Sequence, residues 1–165
     1  MIKLIVLDVD GTLTDGKLYF DSNGVETKSF NVKDGLAIAS WNKKLEYKSA
    51  IITGRNSPIV QKRAQELGVQ YIYQGVHNKD EILASILEKE NITFENVASI
   101  GDDLNDYKML KKSHLSFAPA DAVDTIKELV NIVTTKKGGD GAVREMIEYI
   151  LKYDDKEDEI LNLWL

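Results

Sequence analysis

Residues 6–15 read Val-Leu-Asp-Val-Asp-Gly-Thr-Leu-Thr-Asp and continue a mostly apolar run that begins at residue 2. Such a run predicts a strand that is buried on both faces of a parallel sheet. Side chains two positions apart on a strand point the same way, so Asp8 and Asp10 project together from its carboxyl end. Ligands bind at this end of open parallel sheets. Because two adjacent carboxylates repel unless a metal ion or a shared proton relieves them, the pair favours a functional site over a plain Asp-Gly turn.

The composition is that of an ordinary globular protein and predicts one domain over residues 1–165. The chain is 43% hydrophobic and 29% charged, with a formal net charge of -6. The acidic balance and the lack of a basic stripe argue against nucleic-acid and anionic-membrane partners. Without cysteine the chain forms no disulfide, thiolate metal site or cysteine nucleophile. No leader-like start or membrane-length apolar run is evident, which predicts a cytoplasmic protein.

Apolar segments alternate with helical patterns along the chain. The predicted strands are 4–7, 49–52, 71–73, 97–100, 115–118 and 132–133. The predicted helices are 35–44, 57–67, 79–90, 106–112, 124–129 and 142–152. Strands that alternate with helices of this length indicate an α/β fold, a doubly wound, Rossmann-like parallel sheet.

One segment interrupts this alternation at about residues 17–30. Two β-like runs flank Asn23 and Gly24, and Asn-Gly between such runs is a strong hairpin signal. A hairpin inserted directly after the Asp8–Asp10 loop would overhang the ends of the parallel strands. The sequence leaves open whether this hairpin has a function or only decorates an edge.

Three further motifs follow strands or begin a helix. Thr53, Gly54 and Arg55 end the second core strand and offer a hydroxyl, an amide and a guanidinium, which suit phosphate oxygens. Lys79 begins a helix, where a cation opposes the helix dipole unless it has a negative partner. Residues 101–106, Gly-Asp-Asp-Leu-Asn-Asp, form a hard-oxygen cluster that suits Mg²⁺. Together the motifs are typical of phosphoryl transfer through an acyl phosphate on a carboxylate.

In this order the motifs resemble those of the haloacid dehalogenase superfamily of phosphatases, and the resemblance covers nearly the whole chain. Within it the chain is similar to the cap-less branch that includes 3-deoxy-D-manno-octulosonate 8-phosphate (KDO 8-phosphate) phosphatases. The segments that carry the branch resemblance are 30–35, 73–75, 78–79, 101–104, 118–122, 138–139 and 141–145.

The resemblance implies a role for each motif residue. Asp8 would attack phosphorus, and Asp10 would protonate the leaving alkoxide and then activate water. Mg²⁺ would bind Asp8, Asp102 and the backbone carbonyl of Asp10. Thr53, Lys79 and the amides after Asp8 would hold the transferring oxygens. The supporting residues would be Asp103, acting through water or by orienting Lys79, and Asp106. The expected substrate-binding residues are Thr12, Lys33, Gly54, Arg55 and Asn78.

Only about forty residues separate the Asp8 strand from the Thr53 strand, and one helix plus the hairpin uses nearly all of them. No separate cap domain fits there. A phosphoryl-aspartate needs screening from water, and in this family four subunits assemble, with sites completed by neighbours. The apolar end of the C-terminal tail 154–165 would dock either on its own core or on a neighbour, and the sequence favours neither.

The resemblance implies a sugar-acid phosphate as substrate, most simply KDO 8-phosphate in lipopolysaccharide biosynthesis. Arg55 favours it over the nine-carbon 2-keto-3-deoxynononate 9-phosphate, whose phosphatases tend to have Glu there. Asp140 stands where the family often has a basic residue, which removes one candidate contact for the sugar-acid carboxylate. A non-catalytic oligomerisation module of the same fold is a further alternative, although none of the four motifs is lost.

Overall fold

The computed structural model describes all residues 1–165 and contains a six-stranded parallel sheet. Its strands, in chain order, are β1 (Leu4–Leu7), β4 (Lys48–Ile52), β5 (Tyr71–Tyr73), β6 (Val97–Ile100), β7 (Leu115–Ala118) and β8 (Ile132–Val133). In space they lie in the order β5-β4-β1-β6-β7-β8. The predicted doubly wound α/β fold is therefore confirmed.

The short β2 (Tyr19–Phe20) and β3 (Glu26–Thr27) pair with each other and form the predicted hairpin apart from the main sheet. Gly24 in its turn has a φ of +75°, which favours glycine. Lys28, directly after β3, lies 2.5 Å from the Asp10 carboxylate, so the hairpin lies close to the end of β1.

Helices cover both faces of the sheet. They are α1 (Val32–Ala39), α2 (Pro58–Glu66), α3 (Lys79–Glu90), α4 (Tyr107–Lys112), α5 (Asp124–Leu129), α6 (Ala142–Tyr153) and α7 (Glu157–Asn162). The longest of them have 12 residues, and none is suited to crossing a bilayer.

The central strand β1 shows why both faces must be covered. All four of its residues are fully buried, and they alternate between two layers of the core. Ile5 and Leu7 pack with side chains of α1, α2 and α6, whereas Leu4 and Val6 pack with those of α3 and α4. This period of two fixes the register of the strand and therefore the positions of the acids that follow it.

Side-chain capping explains where α1 and α2 begin. Ser57 accepts a hydrogen bond from the amide of Ile59 at 3.2 Å and is followed by Pro58, as the sequence indicates for α2. The predicted helix 35–44 differs from the structure. α1 begins three residues earlier because Asn31 caps it by accepting from the Lys33 amide at 2.8 Å. Residues Ser40–Lys44 continue as a π-helical turn.

The C-terminal segment docks on its own chain in this structure. Ile160 packs against the main core, and the Trp164 indole donates a hydrogen bond to the Ser40 hydroxyl at 3.2 Å. The Lys44 ammonium lies 3.6 Å from the centre of the Trp164 ring, a cation–π contact. Of the two arrangements that the sequence left open for the tail, the isolated chain adopts the first.

Candidate active site

The two acidic motifs and the Thr53–Arg55 motif meet at the carboxyl ends of β1, β6 and β4. The chain moves outward from β1 to β4 and β5 and then returns to β6 on the other side of β1, so this is the point where the strand order switches. An open pocket of about 310 Å³ lies there. Its lining residues are Asp8, Asp10, Gly16, Leu18, Thr53, Gly54, Arg55, Asp102, Asp103 and Asn105.

Lys79 bridges two buried carboxylates beneath this pocket. Its Nζ lies 2.6 Å from Asp8 Oδ1 and 2.6 Å from Asp106 Oδ1, and its side chain is 1% exposed. Burial opposes the charge on Lys79, but Asp8 and Asp106 together raise its pKa above the ordinary value. The two carboxylates thus supply the negative partner that a lysine at the start of a helix needs.

Asp106 is the residue that orients Lys79, and both of its carboxylate oxygens accept hydrogen bonds. Its second oxygen, Oδ2, accepts from the amides of Asp102 at 2.9 Å and Asp103 at 3.3 Å. Asp103 itself is exposed and accepts from the Leu104 amide at 2.7 Å, so it makes no contact with Lys79. Of the two roles expected of Asp103, orienting Lys79 has no contact behind it here, because the 3₁₀ turn at Leu104–Asp106 directs Asp106 inward instead. A role of Asp103 through water stays a prediction.

Burial and neighbouring carboxylates disfavour the ionised forms of Asp8 and Asp102. Burial and the nearby Asp106 raise the pKa of Asp8 to about 6 although Lys79 opposes the shift. Burial, Asp8 and Asp106 raise the pKa of Asp102 to about 9. One oxygen from each of these three carboxylates lies within 4.8 Å of the others.

The donor set fits a hard divalent cation. Since Lys79 and two amides occupy Asp106, the carboxylates left for a cation are those of Asp8 and Asp102. Mg²⁺ binds with one or two carboxylates and completes its shell with water and phosphate oxygens. The same ion would remove the repulsion that raises both pKa values.

The turn after β1 shapes the floor of the pocket. Gly11 has a φ of +95°, and a Cβ at this position would lie 1.9 Å from Asp102 Oδ2. The Thr14 hydroxyl oxygen accepts from the amides of Gly11 and Gly16, both at 3.2 Å. The amides of Thr12 and Leu13 donate to the Val9 carbonyl, so among the amides of residues 10–13 only that of Asp10 is left without a protein acceptor.

The loop at residues 138–139 packs against this turn. The Gly139 amide donates to the Thr12 carbonyl at 3.0 Å. A Cβ on Gly138 would lie 1.9 Å from the Gly11 carbonyl oxygen, so only glycine permits this approach. The late glycines that contributed to the family resemblance therefore hold the Asp8–Gly11 turn in position.

Three expected substrate-binding residues lie away from the pocket. Thr12 is fully buried, and its hydroxyl has no hydrogen-bond partner. Lys33 is exposed beside Arg144 and Lys136 in a separate polar groove. Asn78 is exposed before α3 and does not line the pocket. Within one chain none of them is placed to contact a ligand at Asp8, whereas Gly54 and Arg55 are.

The hairpin supplies two site residues that the sequence analysis missed. Lys28 Nζ lies 2.5 Å from Asp10 Oδ1 and 3.2 Å from Glu26 Oε1, and Arg55 Nη2 lies 3.0 Å from the same Glu26 oxygen. The Lys28 hydrogen bond, with help from Arg55, lowers the pKa of Glu26. Glu26 and Lys28 are two residues apart on a predicted strand, so their side chains were expected on the same face. This spacing was the available signal for a shared role. Charged residues on a short hairpin are usually solvated, so that signal was weak.

Comparisons with known proteins agree with this geometry. Residues 71–147 match the family model of haloacid dehalogenase-like hydrolases. The chain is 44% identical over 159 residues to the KDO 8-phosphate phosphatase of Escherichia coli strain K12, covering 96% of this chain and 84% of that one.

Solved structures agree as well. The KDO 8-phosphate phosphatase of Moraxella catarrhalis, in complex with magnesium, phosphate and KDO, superposes with a TM-score of 0.94 at 39% identity, covering 99% of this chain and 94% of that one. The cobalt-bound enzyme of Haemophilus influenzae has a TM-score of 0.89 at 38% identity, with coverages of 95% and 91%. The chain belongs to the haloacid dehalogenase-like hydrolases, within the family of KDO 8-phosphate phosphatases.

Proposed function

We propose that this protein is a Mg²⁺-dependent phosphatase that hydrolyses KDO 8-phosphate to KDO and phosphate, through a phosphoryl group carried on Asp8. The observation that carries the proposal is the buried Asp8 itself. It ends the central strand, is held at one oxygen by Lys79 at 2.6 Å, and shares an open pocket with Asp10 and Asp102. A fixed carboxylate beside a second acid and a cation site has the parts that phosphoryl transfer requires.

Each part has a distinct task. The carboxylates of Asp8 and Asp102, with the backbone carbonyl of Asp10, would hold Mg²⁺. The ion would neutralise developing charge on the phosphoryl oxygens. Lys79 and the Thr53 hydroxyl would bind those oxygens, together with the unpaired amide of Asp10. The Asp10 carboxyl would give a proton to the leaving sugar oxygen and then take one from water.

The sugar-acid end of the substrate would meet Arg55. Its side chain is 44% exposed at the rim of the pocket and is paired only with acids, Glu26 at 3.0 Å and Asp10 at 4.0 Å. A substrate carboxylate would compete for this guanidinium, which binds carboxylates through paired hydrogen bonds. The nine-carbon 9-phosphate is the alternative substrate, and the relatives named above support the eight-carbon one.

We also propose that the chains associate and that the protein acts in the cytoplasm, in a step of lipopolysaccharide biosynthesis. Leu18, one residue before the hairpin strand β2, lines the pocket and is 50% exposed. The hairpin also exposes Phe20 and Val25, each at 56%. Exposed apolar side chains grouped in this way are typical of interaction surfaces. A homotetramer in which neighbours cover each pocket would shield the phosphoryl-aspartate from water.

A phosphate-release assay with a panel of sugar phosphates tests the proposal. Wild-type protein with Mg²⁺ should prefer KDO 8-phosphate, Asp8→Asn should be inactive, and Arg55→Glu should shift preference toward the nine-carbon 9-phosphate. Full activity of Asp8→Asn would refute the mechanism. An unchanged preference in Arg55→Glu would remove Arg55 from the specificity argument.

A further inference from the structure

Lys28 has a buried side chain, and none of the catalytic tasks described above involves it. It directly follows β3 in the hairpin, and its side chain is only 3% exposed. Lysine side chains are rarely so buried unless they are paired. Its two partners, Asp10 Oδ1 at 2.5 Å and Glu26 Oε1 at 3.2 Å, are both acids. The hairpin is thus connected to the catalytic turn by a partly buried ion pair rather than by apolar packing alone.

The two oxygens of Asp10 differ because of Lys28. Oδ1 accepts the Lys28 hydrogen bond. Oδ2 has Arg55 Nε at 4.0 Å, beyond hydrogen-bond distance, and it belongs to a side chain that is 21% exposed in the pocket. The carboxyl group can rotate freely unless one oxygen is held, so the contact with Lys28 determines which oxygen faces a ligand bound at Asp8.

Lys28 is itself held in place. Glu26 and Lys28 are two residues apart on an extended segment, so their side chains lie on the same face of the hairpin. Glu26 Oε1 lies between the Lys28 ammonium and the Arg55 guanidinium, at 3.2 Å and 3.0 Å. The result is a continuous row of alternating charges, Arg55–Glu26–Lys28–Asp10, from the rim of the pocket to the acid.

We propose that Lys28 is a positioning residue that presents Asp10 Oδ2 to the leaving oxygen of the substrate; this rests on the proposed phosphatase function. As an Asp8 oxygen bonds to phosphorus, the bond from phosphorus to the sugar oxygen breaks and its electron pair stays on that oxygen. Asp10, protonated on Oδ2 when substrate is bound, gives that proton to the sugar oxygen and is left as a carboxylate whose Oδ1 accepts from Lys28. A general acid contributes only when it lies within hydrogen-bond reach of its target, and Lys28 keeps Asp10 there.

Two substrates with different leaving groups separate this role from a structural one. A sugar phosphate releases an alkoxide that needs a proton, whereas p-nitrophenyl phosphate releases a phenolate that does not. We expect Lys28→Met to lower kcat/KM for KDO 8-phosphate by about tenfold to a hundredfold, a part of what a positioned acid contributes. The value for p-nitrophenyl phosphate should stay within about threefold, since a proton donor adds little there.

Further variants complete the test. Lys28→Arg should restore much of the lost activity, because an arginine can hold the same oxygen. Lys28→Gln is a milder neutral variant should Lys28→Met fold poorly, and we expect the same selective loss from it. The matched control is Lys111→Met, which removes an exposed lysine on α4. Circular dichroism and the melting temperature with Mg²⁺ establish that each variant is folded.

The outcomes differ for the two proposals. Equal losses on both substrates in folded Lys28 variants, or no loss on KDO 8-phosphate, would overturn the role of Lys28 while the phosphatase function stands. A wild-type protein that releases phosphate from neither substrate would overturn the proposed function and the role of Lys28 with it.

Discussion

At the scale of single residues, the site depends on how Lys79 and its two carboxylates are buried. A buried pair costs desolvation, but removing one partner leaves an uncompensated charge. Asp8 and Asp106 would both be left without their cation if Lys79 were lost. The sequence indicated that Lys79 needed a negative partner. It could not identify Asp106 as that partner, because the direction of the Asp106 side chain depends on a three-residue 3₁₀ turn.

We therefore expect Lys79→Met to reduce the free energy of unfolding by about 3–5 kcal/mol in metal-free protein, the range for breaking a buried ion pair. Denaturant unfolding measures this loss. The control is Lys112→Met, which removes an ion pair to Asp80 at 2.7 Å whose lysine is 49% exposed, and it should cost about 1 kcal/mol or less. Equal costs for the two variants would contradict the account of Lys79.

The raised pKa values of Asp8 and Asp102 predict a pH dependence of stability in the metal-free protein. Both groups bind protons more tightly in the folded state, so folding gains stability from them at low pH. That contribution is complete below the ordinary pKa of 3.8 and is lost as pH rises through about 6 for Asp8 and about 9 for Asp102. The melting temperature in EDTA should fall across this window, and saturating Mg²⁺ should reduce the fall.

Asp102→Asn is the matched control for this pH profile, since it removes one of the two repelling charges without changing the shape of the side chain. Its melting temperature in EDTA should depend less on pH than that of wild type. A wild-type profile that is the same with EDTA and with Mg²⁺ would show that the cluster holds no divalent cation.

At the scale of elements, the site is a set of loops held by strand ends. The positions of β1, β4 and β6 followed from apolar runs, because buried parallel strands have a strong sequence signal. The contact between the 138–139 loop and the Asp8–Gly11 turn could not be predicted from the sequence. It joins segments more than a hundred residues apart through backbone atoms, and backbone approach leaves no pattern in the sequence beyond the glycines themselves.

Gly138→Ala should therefore displace the catalytic turn. The added Cβ would lie 1.9 Å from the Gly11 carbonyl oxygen, which belongs to backbone and cannot rotate away. We expect a loss of activity of about tenfold or more, since small misplacements of reacting groups cost about that much or more. Steady-state kinetics measures the loss.

The control for this substitution is Gly24→Ala in the hairpin turn. A Cβ there meets nothing within 4 Å, and only the positive φ of +75° is unfavourable. This variant should lose some stability, about 1–2 kcal/mol, and keep its activity. If Gly138→Ala were as active as Gly24→Ala, the supporting role of the 138–139 loop would be refuted.

At the scale of the whole molecule, one chain leaves its pocket open and its hairpin apolar and exposed. The Asn-Gly turn predicted the hairpin, and the short spacing between β1 and β4 predicted that no cap domain covers the site. The sequence could not show how Lys28 and Glu26 connect the hairpin to Asp10, because a buried lysine and a solvated one look alike in sequence. In the proposed assembly, other copies of the chain cover the open side of the pocket.

Substitution of Phe20 and Val25 by Glu should dissociate the proposed tetramer, since charges placed in an apolar interface are costly. Sedimentation velocity should show a smaller species that is still folded, with reduced phosphatase activity. Val133→Glu is the control, because Val133 is also exposed, at 41%, but lies on the far edge of the main sheet. A wild-type protein that is monomeric and fully active would contradict the assembly.

Asp8 carries the phosphoryl group in the proposed mechanism, and this phosphoryl-enzyme intermediate can be trapped. Protein mixed with KDO 8-phosphate and Mg²⁺ is quenched in acid and analysed by mass spectrometry of its peptides. We expect a phosphoryl adduct on the peptide that contains Asp8, absent from Asp8→Asn and removed by hydroxylamine, which cleaves acyl phosphates. Turnover without any adduct, or an adduct that persists in Asp8→Asn, would contradict the proposed mechanism.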